Sequence, residues 1–304
     1  MFLDQGFSSL EHFQQQFGTE EACAEYLFLS KWPDGFSCPR CGHRHASRIG
    51  TRKLPLFECH DCRHQSSLTS GTIMEGSRTD LRKWFTAFFL VSRTERGTSA
   101  VELREIISVT YKTAWLILRK IRHAISHAEG QTFLSGIVRV NAAVYGKPHN
   151  PTIHRHPQEQ PLLVGASIND QGEPIYVKIK LVPDSHIRHR QVQHSGTRDF
   201  ADRNVETLTT DIEFVTGRFS PLRFRSLLHL ASKASQWINE TFHGLGRKHL
   251  QTYLDEYSFR LNLSLRKVPI FLELTRLCVA ASPVSYSTLT RRVALNRLMR
   301  DKYL

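Results

Sequence analysis

FSCPRCGHR (residues 36–44) and FECHDCRHQ (residues 57–65) are two halves of one pattern. Each carries a C-x-x-C pair, Cys38 with Cys41 and Cys59 with Cys62, and 17 residues separate the pairs. A C-x-x-C turn sets two thiolates on one side of a tight knuckle. Two such knuckles supply the four tetrahedral sulfur ligands that zinc prefers. Gly42 follows Cys41, where the knuckle requires backbone tolerant of positive φ. The stretch ASRIGTRKLPLFE between the halves reads as a hairpin. Four thiolates leave no open coordination position, so the expected zinc is structural. His43, His45, His60 and His64 crowd the same segment as surface residues, or one of them replaces a thiolate. The two other cysteines, Cys23 and Cys278, stand alone, which suits a reduced compartment and not a disulfide scaffold.

On the N-terminal side, residues 1–30 have helical spacing through Leu10, Phe13, Phe17, Cys23, Tyr26 and Leu27. On the C-terminal side, TDLRKWFTAFFLVSR (79–93) predicts a helix started by Thr79 or Asp80, with Leu81, Trp84, Phe85, Phe88 and Phe89 as its apolar stripe. A turn at Gly97 follows. TSAVELREII then predicts a short helix capped by Thr98 or Ser99, with Glu102 placed for a capping box. A longer basic helix begins near Thr110. Ala114, Leu118 and Ile121 face inward, leaving Tyr111, Lys112, Thr113, Arg119, Lys120 and Arg122 to point outward. Short helix, turn and longer basic helix is the arrangement of a helix-turn-helix, so Thr110, Tyr111, Lys112 and Thr113 are expected at base edges or phosphates. An ordinary helical hairpin with a solvated basic face is the other reading.

The 304 residues carry 41 Lys and Arg against 28 Asp and Glu, a formal net charge of +13. Such an excess attracts polyanions and points to nucleic acid. Hydrophobic content of 40% is enough for real cores. No apolar run is long enough for a membrane span, and MFLDQGFSSLEHF lacks the pattern of a signal peptide. The expected partner is double-stranded DNA, the expected location cytoplasmic, at the nucleoid.

CPRCG, the run FECHDCRHQSSLTSGTIMEGSRTDLRKWFTAFFLVS, the segment GTSAVELREIISVTYKTAWLILRKIRHAI and the late stretch FHGLGRKHLQTYLDEYSFRLN (242–262) together resemble bacterial insertion-sequence transposases of the ISXO type, which carry an N-terminal zinc ribbon. The resemblance covers nearly the whole chain. It implies a multidomain α+β protein with a zinc ribbon, a helix-turn-helix and an RNase H-like domain built on a mixed sheet. The segments are then 1–30 (N-terminal helical), 31–75 (zinc ribbon), 76–130 (helix-turn-helix), 135–281 (RNase H-like) and 282–304 (basic C-terminal helix). IVRVN, PLLVGASIND and PIYVKIKLV read as strands, with a turn at Gln171-Gly172. VETLTTD reads as a later strand ending at Asp211, and helices follow from about 221. The resemblance also implies a homo-oligomer.

In such domains, strand-end carboxylates hold two divalent metals, Mg²⁺ being suited to their hard oxygens. The family's first aspartate falls on Asn141, followed by Ala142 where an acid is usual. The second falls on Asp211, followed by Ile212-Glu213. The third active-site position falls at or near Lys233, and the motif lysine is Lys248. An amide offers a neutral oxygen, and a lysine adds a repelling charge. Catalysis is therefore expected to be impaired, with Mg²⁺ bound only if the site functions. Asp170, Asp184, Asp199, Asp202, Glu213, Glu240, Asp255 and Glu256 are the acids that would have to rescue it. Three functions compete: a transposase-type DNA-binding protein with impaired catalysis, an active metal-dependent DDE transposase that cuts and joins DNA ends, and a protein-interaction scaffold. His149, His154 and His156, with His186, His189 and His194, form a second metal site or, more simply, basic loops. Cys278 reads as core, in an apolar helix over 264–280.

Overall fold

The computed structural model describes residues 7, 9–50, 54–94, 96–146, 156, 158–217 and 220–290. The chain divides into two compact units: residues 1–93, 98–124 and 269–289 in the first, and 94–97, 125–268 and 290–304 in the second.

In the first unit, α1 (Leu10–Phe17) and α2 (Glu20–Lys31) are separated at Gly18, and each starts on a hydroxyl cap. Ser9 accepts from the His12 N–H and Thr19 from the Ala22 N–H. An antiparallel three-stranded sheet follows, in the order β1 (Ala46–Ile49), β2 (Leu56–Cys59), β3 (Gln65–Ser67). Then come α3 (Leu81–Ser92), α4 (Ala100–Ile107) and α5 (Tyr111–Gln131), the last belonging to this unit as far as Ala124. Aromatic rings make the core. Phe13 stacks on Phe89 at 4.8 Å, and Phe17 lies 5.2 Å from Phe85. Phe271, on a helix over Ile270–Ala280, packs 5.6 Å from both Phe13 and Phe17. That helix therefore joins the first unit, although the sequence groups it with the larger domain. The contact of Phe271 with five rings, Phe7, Phe13, Phe17, Tyr26 and Phe85, outweighs its position in the chain. Cys278 is buried there, as expected.

The α3 cap differs from the expected one, and α4 has the expected Ser99 cap with Glu102 turned to another partner. Asp80 precedes α3 without a side-chain cap bond, and the Glu20 carboxylate accepts from the Leu81 and Arg82 N–H groups at 3.0 and 2.9 Å. Ser99 caps α4 through the Glu102 N–H, while the Glu102 carboxylate accepts from Arg93 at 2.8 Å.

The second unit is a four-stranded mixed sheet: β4 (Ile137–Tyr145), β5 (Gln160–Ile168), β6 (Pro174–Leu181) and β9 (Asp211–Val215), in the order β6-β5-β4-β9. The first three strands are antiparallel, whereas β4 and β9 run parallel. The β5–β6 hairpin turns at Gly172, whose φ of +79° requires glycine. A two-residue ladder, β7 (Ile187–Arg188) with β8 (Gln191–Val192), precedes α6 (His194–Asn204). α7 (Arg225–Phe242) and α8 (Arg247–Leu265) complete the unit, and α9 is the Ile270–Ala280 helix already described.

Alternation along the strands fills both faces. Leu162, Val164, Val177 and Ile179 pack with Leu227, Ile238, Leu250 and Leu254 of α7 and α8. Val138, Val140 and Leu163 pack with Phe200 of α6 and Val205. Gly165 is needed at this second face, because an added Cβ would sit 2.7 Å from the Phe200 ring. α8 also closes the edge of β6 with two amides. Asn262 accepts from the Val177 N–H and donates to its carbonyl; Gln251 accepts from the Leu181 N–H and donates to the Ile179 carbonyl, all at 2.7–3.0 Å.

One strand differs from the sequence reading. VETLTTD does not end a strand at Asp211; β9 begins there. Leu208 is 87% exposed, whereas Ile212 and Phe214 pack on the sheet core. Apolar alternation lies in DIEFV and not in the threonine-rich run before it. The expected C-terminal helix over 282–304 is described only through α10 (Tyr286–Thr290), and its remainder lies outside the described residues, as do His149 and His154.

Candidate functional site

Two matching knuckles build the metal centre. The Gly42 N–H donates to the Cys38 carbonyl at 2.9 Å and the Arg63 N–H to the Cys59 carbonyl at 3.2 Å. Gly42 and Arg63 have φ of +75° and +57°, so the left-handed corner recurs at the same place in both halves. The four sulfurs lie within 4.8 Å of one another. Cys38 to Cys62 and Cys41 to Cys59 measure 3.5 and 3.6 Å. A tetrahedron of bonds near 2.3 Å has edges of about 3.8 Å, so the set fits zinc. Burial pushes the Cys38 thiol up, but the backbone N–H groups of Cys41 and Arg40 more than offset it, and the thiol sits at about 7. The ribbon histidines stand outside the sulfur set, and His60 bonds the Ser47 hydroxyl at 2.9 Å. Among the described residues, these cysteines are the one cluster at metal-ligating distance.

The segment after the last cysteine is held by two lysines. Lys31 donates to the Ser67, Leu68 and Ser70 carbonyls, and Lys120 to those of Ile73 and Glu75. Burial lowers both ammonium pKa values, that of Lys31 to about 8. This corrects the expected orientation of α5. Arg119, Lys120 and Arg122 are 9%, 7% and 3% exposed and turn inward. Arg119 donates to the Leu289 carbonyl and Arg122 to that of Thr98. A long cationic side chain reaches buried carbonyls at positions that a helical wheel assigns to solvent. Thr110, Tyr111 and Lys112 are exposed, and Thr113 is half-buried at the start of α5, where Thr110 caps the Thr113 N–H at 3.2 Å.

In the second unit the expected catalytic residues do not converge. Register pairs Asn141 with Val215, while Asp211 lies opposite Ile137, four positions away along the sheet. Asn141 is wholly buried, and its amide clasps Phe224: Nδ2 donates to the Phe224 carbonyl at 2.8 Å and Oδ1 accepts from its N–H at 3.4 Å. Asp211 accepts both guanidinium nitrogens of Arg139, at 2.6 and 3.4 Å, and Glu213 shares that guanidinium at 3.5 Å.

A cavity of about 460 Å³ opens at the C-terminal ends of β4 and β9. Its wall includes Thr216, Arg223, Arg190 and Glu159, with Ser232, Ser235 and Asn239 from α7. Lys233 lies one residue beyond the face of α7 that lines this cavity and is exposed. Lys248 is exposed at the start of α8, donating to the Thr290 carbonyl. Three of the rescue acids are engaged elsewhere: Asp255 accepts from Lys180, Asp199 pairs with Arg203, and Glu240 with Gln236. Sequence reasoning missed Thr216, Arg190, Arg223 and the α7 hydroxyls. They come together only in the folded chain, around this cavity.

Residues 18–65 match the transposase zinc-ribbon domain family, of the IS1595 type. The chain is also similar to an uncharacterized protein in the transposable element ISH50 of Halobacterium salinarum, 32% identical over 119 residues. That alignment covers 38% of this chain and 40% of the relative. No solved structure matches. Family model and relative together support the resemblance to zinc-ribbon insertion-sequence transposases. Among the described residues no helix is long and apolar enough to cross a membrane.

Proposed function

We propose that this chain is a transposase-type DNA-binding protein whose RNase H-like domain has lost its two-metal centre. The sheet order β6-β5-β4-β9, with three antiparallel strands and a fourth parallel to the first, supports the RNase H-like reading. The net charge of +13 and the exposed start of α5 support DNA contact through Thr110, Tyr111, Lys112 and Thr113. The observation that carries the loss of catalysis is the state of Asn141: a buried amide committed to Phe224, with no carboxylate beside it in register. Two Mg²⁺ ions need several anionic oxygens, and the strand ends do not supply them.

The test combines gel retention and cleavage. The zinc-loaded chain retards duplex DNA at low salt, and retention weakens steeply as salt rises. Strand cleavage is absent with Mg²⁺ or Mn²⁺. Salt-insensitive or absent retention refutes DNA binding. Metal-dependent cleavage restores the active transposase.

A further inference from the structure

A groove of about 290 Å³ lies in the first unit, between the start of α3 and the turn that leads into α5. Arg78, Asp80 and Lys83 line it from the α3 end, and Thr110 and Thr113 from the α5 end. Arg78 is exposed and, among the described residues, has no hydrogen-bond or ion-pair partner. Lys83 is half-buried. It gives one proton to the Ser108 carbonyl at 3.2 Å, a neutral acceptor, and is in no ion pair among the described residues. Two cations therefore face one acid, Asp80, with their charge uncompensated. The hydroxyls opposite them are also incomplete. Thr110 and Thr113 hold their Oγ1 atoms 2.9 Å apart, and the Thr113 N–H donates to Thr110 Oγ1 at 3.2 Å. Whichever hydroxyl donates to the other, one O–H proton of the pair is left for an outside acceptor. The groove thus offers a guanidinium fork, the spare protons of an ammonium and one hydroxyl. Its ligand has to be an anion with several oxygens that accept without donating.

We propose that this groove seats one phosphate of the DNA backbone, held by Arg78, Lys83 and the Thr110–Thr113 hydroxyl pair. This rests on the DNA-binding reading above and adds to it an anchor outside the helix-turn-helix itself, on the α3 side. Phosphate contacts fix orientation and carry no sequence information, so the anchor sets how the start of α5 lies on the duplex while the bases are read elsewhere.

Fluorescence anisotropy on the zinc-loaded full chain tests this, with two duplexes of unrelated sequence over a series of salt concentrations. Arg78→Gln and Lys83→Gln each remove one groove cation, and Lys83→Arg keeps the charge. Arg276→Gln is the control: its side chain is 75% exposed on α9, outside the groove. Thermal melting confirms that the variants fold. Arg78→Gln and Lys83→Gln should each weaken both duplexes equally, by about threefold or more, and lower the salt slope by about 1. Lys83→Arg and Arg276→Gln should bind as the unmodified chain does. Unchanged affinity and slope in both groove variants overturn the proposal and leave the DNA-binding reading standing. An equal loss in Arg276→Gln overturns it too, because the effect is then one of overall charge. A loss confined to one duplex assigns the groove to a base contact and likewise overturns it. So does inorganic phosphate that binds the chain through Arg78 while DNA binding ignores the groove variants, since the ligand is then a free anion. Absence of any duplex binding by the unmodified chain overturns the DNA-binding reading and this proposal together.

Discussion

Arg139 holds Asp211 in a two-pronged ion pair across the parallel strands β4 and β9, 2.6 Å from Nη1 to Oδ1. The aspartate that the family resemblance would make a metal ligand is a surface ion-pair partner in the fold. Its side chain is 55% exposed, so solvent screens the pair. Asp211→Asn should cost no more than about 1 kcal/mol in denaturant unfolding. Duplex retention in gels should be unchanged. A large loss of DNA affinity would mean that Asp211 works in the site after all.

Asn141→Asp tests the opposite end of the register. An acid at this position removes the donor to the Phe224 carbonyl and sets carboxylate oxygen against carbonyl oxygen in a buried place. A stability loss of about 1–3 kcal/mol is expected by chemical denaturation. Mg²⁺-dependent cleavage should not appear. Cleavage in this variant would show that one residue separates the chain from an active enzyme.

Lys112 and Lys120 should behave in contrasting ways. Lys112 is exposed above the Tyr286 ring, 5.2 Å from its centre. Lys112→Gln should weaken duplex binding and reduce the salt slope by about 1, with an unchanged melting temperature. Lys120→Met removes the donor to two carbonyls and should lower stability by about 1–3 kcal/mol. Equal effects on binding and stability from both substitutions would contradict this division.

Zinc removal should unfold the ribbon, because the small sheet β1-β2-β3 depends on its cross-link. Metal analysis of the purified chain should give one zinc per molecule. Cys62→Ser should lower that content and the protease resistance of residues 38–62 together. Full zinc content in this variant would exclude the four-sulfur site.

A pH dependence is built into the second unit. Burial pushes the Glu129 carboxyl from 4.5 up to about 7 and the Lys178 ammonium from 10.5 down to about 8. Tyr176 donates to Glu129 Oε1, and Lys178 Nζ to the Glu129 carbonyl. A raised carboxyl favours folding while protonated, so its contribution is full below about 4.5 and lost as pH rises through 7. A depressed ammonium contributes above about 10.5 and loses this as pH falls through 8. Both contributions are smallest between 7 and 8. Glu129→Gln should abolish the lower slope, a change on the order of 2–3 kcal/mol between pH 4.5 and 7. Parallel melting curves for the two proteins over that range would rule out the effect.

The zinc centre was legible because its information is local: two knuckles, each four residues long, fix the geometry wherever the chain runs. The three helices after it were legible from their apolar stripes and β4, β5 and β6 as short apolar segments, whereas the mixed sheet was implied by the family resemblance. What stayed hidden depends on distant partners. Whether VETLTTD or DIEFV makes the fourth strand is decided by Phe200 and the core beside it, and that choice moves Asp211 four positions along the sheet. Arg119, Lys120 and Arg122 look like surface charges until the carbonyls of Leu289, Ile73 and Thr98 come within reach.

The two amides of α8 on β6 have a consequence for how copies of this protein meet. Gln251 and Asn262 occupy backbone groups that an incoming strand would need, so that margin cannot template a foreign ladder. Within the four-stranded sheet, the edge left for such pairing among the described residues is that of β9, five residues long.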